Sequence, residues 1–318
     1  MRHVFSCFFL TLAASFPGLA AIDTGLLALV PKDARLISSI DINQARNSQF
    51  GQYVLSKINN EDQSFKDMVD QTGFDPRRDL HDFVFATPGP SAAGATSSFA
   101  LLVRGTFDES RIRAAARHNG STIKNFAGID LFLGPHNPDN AFVFLNSGVA
   151  VMGDVATVEQ ILSNTAVGTG LDPALQTLVA TVGANNDAWF ASIMPGSYLA
   201  NHVKQETNQP AAGQALNAIV QSTGGIRFGD SVRLSFDAVA RSAKDAQSLA
   251  DVIRFLGSMV QLGREKAAGA DILASAIDQM TLETNGNNLH VTLSLPEKSL
   301  EQLADMGPAM APRRHLMH

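Results

Sequence analysis

Apolar residues recur on two periods in this chain, and the periods alternate. ARLISSIDI (34–42) is short and rich in β-branched and apolar residues, which predicts a strand. Behind it Phe50, Val54 and Ile58 recur every four residues, the spacing of one helix face, and Phe65, Met68 and Val69 resume that face after Asn59-Asn60. DFVFA (82–86) and SFALLVRGTF (98–107) predict two strands. The TPGPSAAGATSS run between them is too long and too rich in turn formers for a tight hairpin, and is expected to be a mobile tip. DESRIRAAARHNG predicts a helix from an Asp108 N-cap to a stop at Asn119-Gly120. NAFVFLNSGVAVMGD predicts a hairpin about Asn146-Ser147-Gly148, leading into a helix that carries Val155, Val158, Ile161 and Leu162 on one side.

The second half of the chain follows the same plan. DAWFASI (187–193) echoes DARLISSI (33–40), and SVRLSFDAVA followed by SAKDAQSLADVI echoes SSFALLVRGTF followed by DESRIRAAAR. MTLETNGNNLHVTLSLPEKSLEQL (280–303) matches NAFVFLNSGVAVMGDVATVEQIL (140–162) as hairpin then helix. Matching segments in matching order predict an internal duplication, although residues 121–134 have no clear counterpart. The expected fold is α+β: two tandem related halves, each an antiparallel sheet with helices mainly on one face. The expected division is a signal peptide at 1–20, a first repeat at 21–163 and a linker with a short helix at 164–186. A second repeat at 187–305 and a disordered tail at 306–318 complete it. Asp172-Pro173 suits the N-cap and first residue of the linker helix.

One segment is too apolar for its place. From Ala243 to about Lys266 a long helix is predicted, opened by Ser242 and Asp245 in a capping-box-like pattern. Ala246, Leu249, Ile253, Leu256 and Val260 form one stripe; Val252, Phe255, Met259 and Leu262 form a second beside it. A single sheet needs a stripe only about 100° wide. The second stripe is therefore expected to be buried between the halves, or to make a homo-oligomer surface.

The N-terminus changes the address. MRHVFSCFFLTLAASFPGLAA has a basic start at Arg2, an apolar run from Val4 to Phe16 and small residues before a cut at Ala21, the build of a secretory signal peptide. Cys7 is the only cysteine and lies inside that run, so the mature chain is expected to lack thiols, disulfides and zinc-thiolate sites. Loss of Arg2 takes the net charge from −6 to −7. With no basic run either, nucleic acid is not an expected partner. No later stretch supplies the ~20 apolar residues of a membrane span. The protein is thus expected to be exported, periplasmic or extracellular in a bacterium.

The densest polar cluster is TGFDPRRDLHDF (72–83). Thr72-Gly73 suits the end of a helix, and Asp75-Pro76 suits the start of a single helical turn. Arg77, Arg78 and Asp79 are expected to face water, with Phe74 and Leu80 as anchors. The cluster thereby reads as punctuation between a helix and a strand. The alternative is a hydrolase whose acidic site is built from Asp75, Asp79 and Asp82, which requires carboxylates converging on a pocket. LVPKDARLISSIDI, TGFDPRRDLHDFVFATPG, LLVRGTFD and FVFLNSGVAVMGD together resemble a group of uncharacterised exported bacterial proteins. Those proteins share a Pro-x-Asp-Ala opening and a Gly-x-Asp-Pro-x-x-Asp turn. The resemblance covers most of residues 26–162 and, more weakly, 187–303; it implies an α+β architecture and export, and no catalytic residue.

Remaining motifs add little chemistry. No P-loop, Rossmann fingerprint, HExxH, GxSxG or EF-hand loop occurs, and no cofactor is expected. STGGIRFGD (222–230) reads as a tight turn before a strand. His81, His118, His136, His202 and His290 lack metal-ligand spacing. In the tail, Met310, His315, Met317 and His318 are soft donors that would suit Cu(I), against a bland reading as a disordered end. The expected function is an exported, non-enzymatic binding or structural module. It would present a groove, or the sheet edges shared by its halves, to a polypeptide or another envelope component.

Overall fold

Twelve strands hydrogen-bond side by side into one antiparallel sheet in the computed structural model, which describes residues 23–57, 63–89, 98–135, 137–164, 170–198, 200, 215–263 and 269–305. The chain enters through α1 (Thr24–Leu27), β1 (Leu36–Asp41), α2 (Ile42–Asn47), α3 (Gln49–Lys57), α4 (Gln63–Thr72) and α5 (Pro76–Asp79). It continues through β2 (Leu80–Thr87), β3 (Ala100–Gly105), α6 (Glu109–His118), β4 (Thr122–Phe126), β5 (Ile129–Leu133), β6 (Asn140–Asn146), β7 (Val149–Asp154) and α7 (Val155–Asn164). The helix α8 (Pro173–Gly183) leads to β8 (Ala188–Ser192), β9 (Ile219–Arg227), β10 (Ser231–Ala240) and α9 (Ala243–Leu262). Last come α10 (Ala270–Asp278), β11 (Thr281–Asn285), β12 (Asn288–Pro296) and α11 (Glu297–Asp305).

The strand order is β11-β12-β10-β9-β8-β1-β2-β3-β7-β6-β5-β4. Separate sheets for the two halves, expected from the sequence, are thus replaced by one. β1 pairs with β8 from Leu36–Ser192 to Ile40–Ala188, so the two inner edges satisfy each other's hydrogen bonds. The edges that stay open among the described strands are the outer ones, β4 and β11. The expected signal peptide, most of the TPGPSAAGATSS tip and the expected tail lie outside the described residues.

Register fixes which side chains share a face. Val143, Val151, Leu102, Val84, Ser39, Trp189, Gly225, Ser235, Thr292 and Thr281 lie in one cross-strand row. The next row carries Phe132, Phe142, Met152, Leu101, Phe85, Ser38, Phe190, Gly224, Phe236 and Val291 to the opposite face. Helices therefore cover both faces, not mainly one. On the first face, Leu26 of α1, Val158 and Ile161 of α7, and Leu175, Val179 and Val182 of α8 form one core with Val84, Leu102, Val151 and Trp189. On the second, Leu249 and Ala250 of α9 pack with Ala238, Phe236, Leu289 and Val291, while Arg113 of α6 lies over the rings of Phe132 and Phe144.

Local signals hold where they were strongest. Asp172 and Pro173 open α8 as expected, but that helix sits in the shared core and is no passive linker. Ser242 caps α9 by accepting the Asp245 N–H. STGGIR is strand, not turn: Gly224 and Gly225 lie inside β9. A Cβ at Gly224 would fall 2.2 Å from the Phe190 ring, and one at Gly225 would fall 2.1 Å from the Asn186 side chain. Each glycine is thus a place where a neighbouring side chain lies against the strand backbone.

The second stripe of α9 faces outward. Phe255 is 61% exposed and Leu262 79%, with Met259 also exposed, so the expected burial between the halves is not observed. The helix packs instead on β10, β11, β12 and α10. Phe255→Asp is accordingly expected to change the unfolding free energy of the isolated chain by no more than about 0.5 kcal/mol, as for other exposed positions. Urea denaturation checks this; a loss of several kcal/mol would mean that the ring is covered in solution.

Candidate functional site

The polar cluster at 72–83 folds as punctuation. Gly73 takes a φ of 71°, where an L-residue would be strained, and Asp75 caps α5 by accepting the Arg77 N–H at 3.0 Å. Asp75 also pairs with Arg77 at 2.6 Å. Asp79 pairs with Arg78 at 2.7 Å and accepts the Asp75 N–H at 2.8 Å. Hydrogen bonds from Arg77 to Asp75, and from Arg78 to Asp79, hold both carboxyls below the usual carboxylate range. One expectation fails in detail: Asp79 does not face water but is only 7% exposed, and the Arg77 guanidinium stacks 4.7 Å from the centre of the Phe65 ring.

Asp82 stands apart from these two, on β2. It is registered between Asp41 of β1 and Arg104 of β3. Burial, then repulsion from Asp41 and Asp23, pushes its carboxyl up to about 6. Arg104 is committed to Asp23, with Nη2 donating to Oδ1 at 2.9 Å. Asp41 spends an oxygen on the Gln44 N–H as the cap of α2. The three aspartates of the hydrolase alternative are thus divided between a neutralised turn and a charge row on the sheet.

That row crosses the centre of the fold. Arg104, Asp82 and Asp41 lie on adjacent strands. Asp41 donates its N–H to the Asp187 carbonyl, one residue beyond the Ile40–Ala188 pair. Asp187 is buried and accepts the Phe228 N–H at 2.7 Å. On the far side Arg227 and Arg233 stand directly opposite each other on β9 and β10.

The row ends in a groove on the first face of the second half, floored by β9, β10 and β12. The wall is the C-terminal end of α8, with Thr181, Asn185 and Asn186, and the floor carries Arg227, Arg233, Ser235, Asp237, His290 and Thr292 around a cavity of about 350 Å³. A neighbouring hollow of about 190 Å³ brings in Glu283. At the centre His290 Nδ1 lies 2.6 Å from Asp237 Oδ1, with both side chains about half exposed. Glu283 is the cross-strand partner of His290 on the other side. Gly225 leaves the space that the Asn186 side chain occupies, which lets the end of α8 approach the sheet.

Such a surface offers hydrogen bonds and charges of both signs. In the sequence His290 is one of several scattered histidines without metal-ligand spacing. A faint signal existed in the alternation of LHVTLS and SFDAVA, where His290 and Asp237 both occupy the polar phase of a strand. Among the other histidines, His81 Nε2 lies 3.2 Å from the Thr106 hydroxyl and His118 ends α6. His136, His202 and the tail donors Met310, His315, Met317 and His318 lie outside the described residues. Among the described residues no group of three or more His, Cys, Asp or Glu side chains is placed to hold a metal ion. No described helix is long and apolar enough to cross a membrane.

No protein-family model and no curated protein matches the chain. Its fold is similar to that of TP0453 in crystal form III, with a TM-score of 0.52 at 12% identity over 87% of this chain and 96% of that one. Crystal form IV of the same protein gives 0.49 at 11% identity, over 87% and 95%. The likeness is one of fold: a mixed structure of helices and strands built on an antiparallel sheet.

Proposed function

We propose that this is an exported, non-enzymatic binding or structural module, periplasmic or extracellular in a bacterium, whose ligand is a polypeptide or another envelope component. The observation that carries this reading is the polar groove beside α8, a built concavity on a rigid sheet face. The pairing of β1 with β8 removes the inner sheet edges as docking places, so the groove takes the role expected of them. The signal-peptide pattern of residues 1–20 supports export.

The reading includes a duplicated origin. The order β1-β2-β3-β7-β6 in the first half parallels β8-β9-β10-β12-β11 in the second. α6 and α9 follow the third strand of each set, and α7 and α11 follow the fourth. The hairpin β4–β5 is the insertion that had no counterpart in the sequence. The exposed stripe of α9 suits contact with a second copy of the chain. A hydrolase remains the second reading, and the feature that favours it is the Asp237–His290 dyad, which has the form of a general base and its orienting carboxylate.

A photo-crosslinking residue placed at Thr292 in the groove is expected to yield polypeptide adducts in intact cells. The same residue at the exposed Lys66 of α4 is expected to yield none. Equal labelling from both positions, or none from Thr292, would overturn the module reading.

A further inference from the structure

Charge is distributed unevenly along the groove, and the pattern specifies a ligand. At one end Arg227 and Arg233 are direct cross-strand partners, an arrangement of like charges that destabilises a sheet when nothing lies between them. Arg227 donates to the Asn185 carbonyl at 3.2 Å, and the Arg233 side chain makes no hydrogen bond or ion pair among the described residues. The neighbouring carboxylate of the row, Asp187, is buried and turned to the Phe228 N–H. At the other end Asp237 and Glu283 flank His290. Between the ends lie uncharged donors and acceptors: Ser235, Thr292, whose hydroxyl also meets that of Thr281, and Asn186, whose Nδ2 donates one hydrogen to the Val182 carbonyl and keeps a second.

Resting on the module reading above, we infer that the groove binds an extended polypeptide segment carrying opposite charges four positions apart. Its carboxylate sits between Arg227 and Arg233, and its ammonium or guanidinium group sits at Asp237 and Glu283. The spacing comes from the sheet itself. Arg233 and Asp237 are four residues apart on β10, about 13 Å at the rise of a strand, and an extended peptide laid along that strand has the same rise. A planar guanidinium pair suits an oxyanion held by parallel N–H donors. The hydroxyl and amide groups of the floor and wall supply partners for the peptide's own N–H and C=O groups, which a bound segment cannot leave unsatisfied. Charge complementarity at both ends also sets its direction, since a reversed segment would bring like charges together.

Amide chemical-shift titration of the mature full-length chain tests the inference with three synthetic peptides: Asp-Ala-Ala-Ala-Lys, Lys-Ala-Ala-Ala-Lys and Asp-Ala-Ala-Ala-Asp, all with blocked termini. The dipolar peptide is expected to shift resonances of β9, β10 and β12 in the groove and to bind at least 5-fold tighter than either of the others. Arg233→Glu, on an exposed strand position, is expected to weaken the dipolar peptide at least 5-fold and to improve the all-lysine peptide, with no loss of melting temperature, since it replaces a like-charge cross-strand pair with an opposite-charge one. Equal binding of all three peptides, or a dipolar affinity untouched by Arg233→Glu, would overturn the dipolar ligand. If adducts still form from Thr292 in that event, the module reading stands without it. Absence of both adducts and groove shifts would remove both.

Discussion

Gly224→Val is expected to destabilise the fold by about 2–3 kcal/mol, the range of overpacking in a filled site. The first atom it adds would fall 2.2 Å from Cε1 of Phe190 and 3.0 Å from two more atoms of that ring. Phe190 cannot swing away freely, because it is flanked by Phe236, whose ring centre is 6.4 Å away, and by the cross-strand Ser38. Valine's preference for strands offsets the clash only by tenths of a kcal/mol up to about 1. The clash identifies its own suppressor: adding Phe190→Ala to Gly224→Val should recover part of the loss, giving a coupling well outside additivity. Chemical denaturation of the two single variants and the double variant measures it. Additive losses would show that the ring does not occupy the glycine's side-chain space.

Asp82 should make stability fall as pH rises through the acid range, opposite to an ordinary paired carboxylate. Its carboxyl titrates near 6 in the folded chain and near 4 when unfolded. Below about pH 4 both states hold the proton and no penalty arises. Between about 4 and 6 the unfolded chain releases its proton first, so stability drops, and above 6 the penalty is complete. A fully secluded carboxyl so displaced would be worth roughly 3 kcal/mol; half-exposure and solvent screening reduce the expectation to about 1–2 kcal/mol. Asp82→Asn should therefore match the parent near pH 3.5 and exceed it by that amount at pH 7.5. Thermal unfolding at the two pH values decides the matter, and parallel curves for both proteins would show that Asp82 titrates normally.

Both effects depend on neighbours that the linear sequence does not bring together, and this marks how far the sequence could be read. Caps and short-range turns were legible because their chemistry is local: Asp75-Pro76, Asp172-Pro173, Ser242 and the Asn146–Gly148 hairpin each fold as their own residue types require. Gly224-Gly225 misled because glycine is a turn signal by itself, and only Phe190 and Asn186, far off in sequence, explain it inside a strand. Antiparallel pairing was legible from alternation, but the merging of two sheets into one was not, since an edge strand and an inner strand can carry the same pattern. The candidate site was least legible of all. Arg233, Asp237 and His290 each read alone as a solvated strand residue and Arg227 as part of a turn, and their meeting is a product of register.

The β1–β8 junction also shapes the path by which the chain reaches its fold. Leu36 meets Ser192, whereas every other strand pair is closed by segments far nearer in sequence. A contact of such long range raises the contact order and is among the last to be rewarded during folding. As the nascent chain lengthens, β2 can pair with one side of β1 early, while the other side, with its unpaired backbone groups, has no native partner until β8 exists. The inner edge of the first half thus waits longer than any other edge in the sheet, and edge-to-edge association during that wait is the hazard this topology carries.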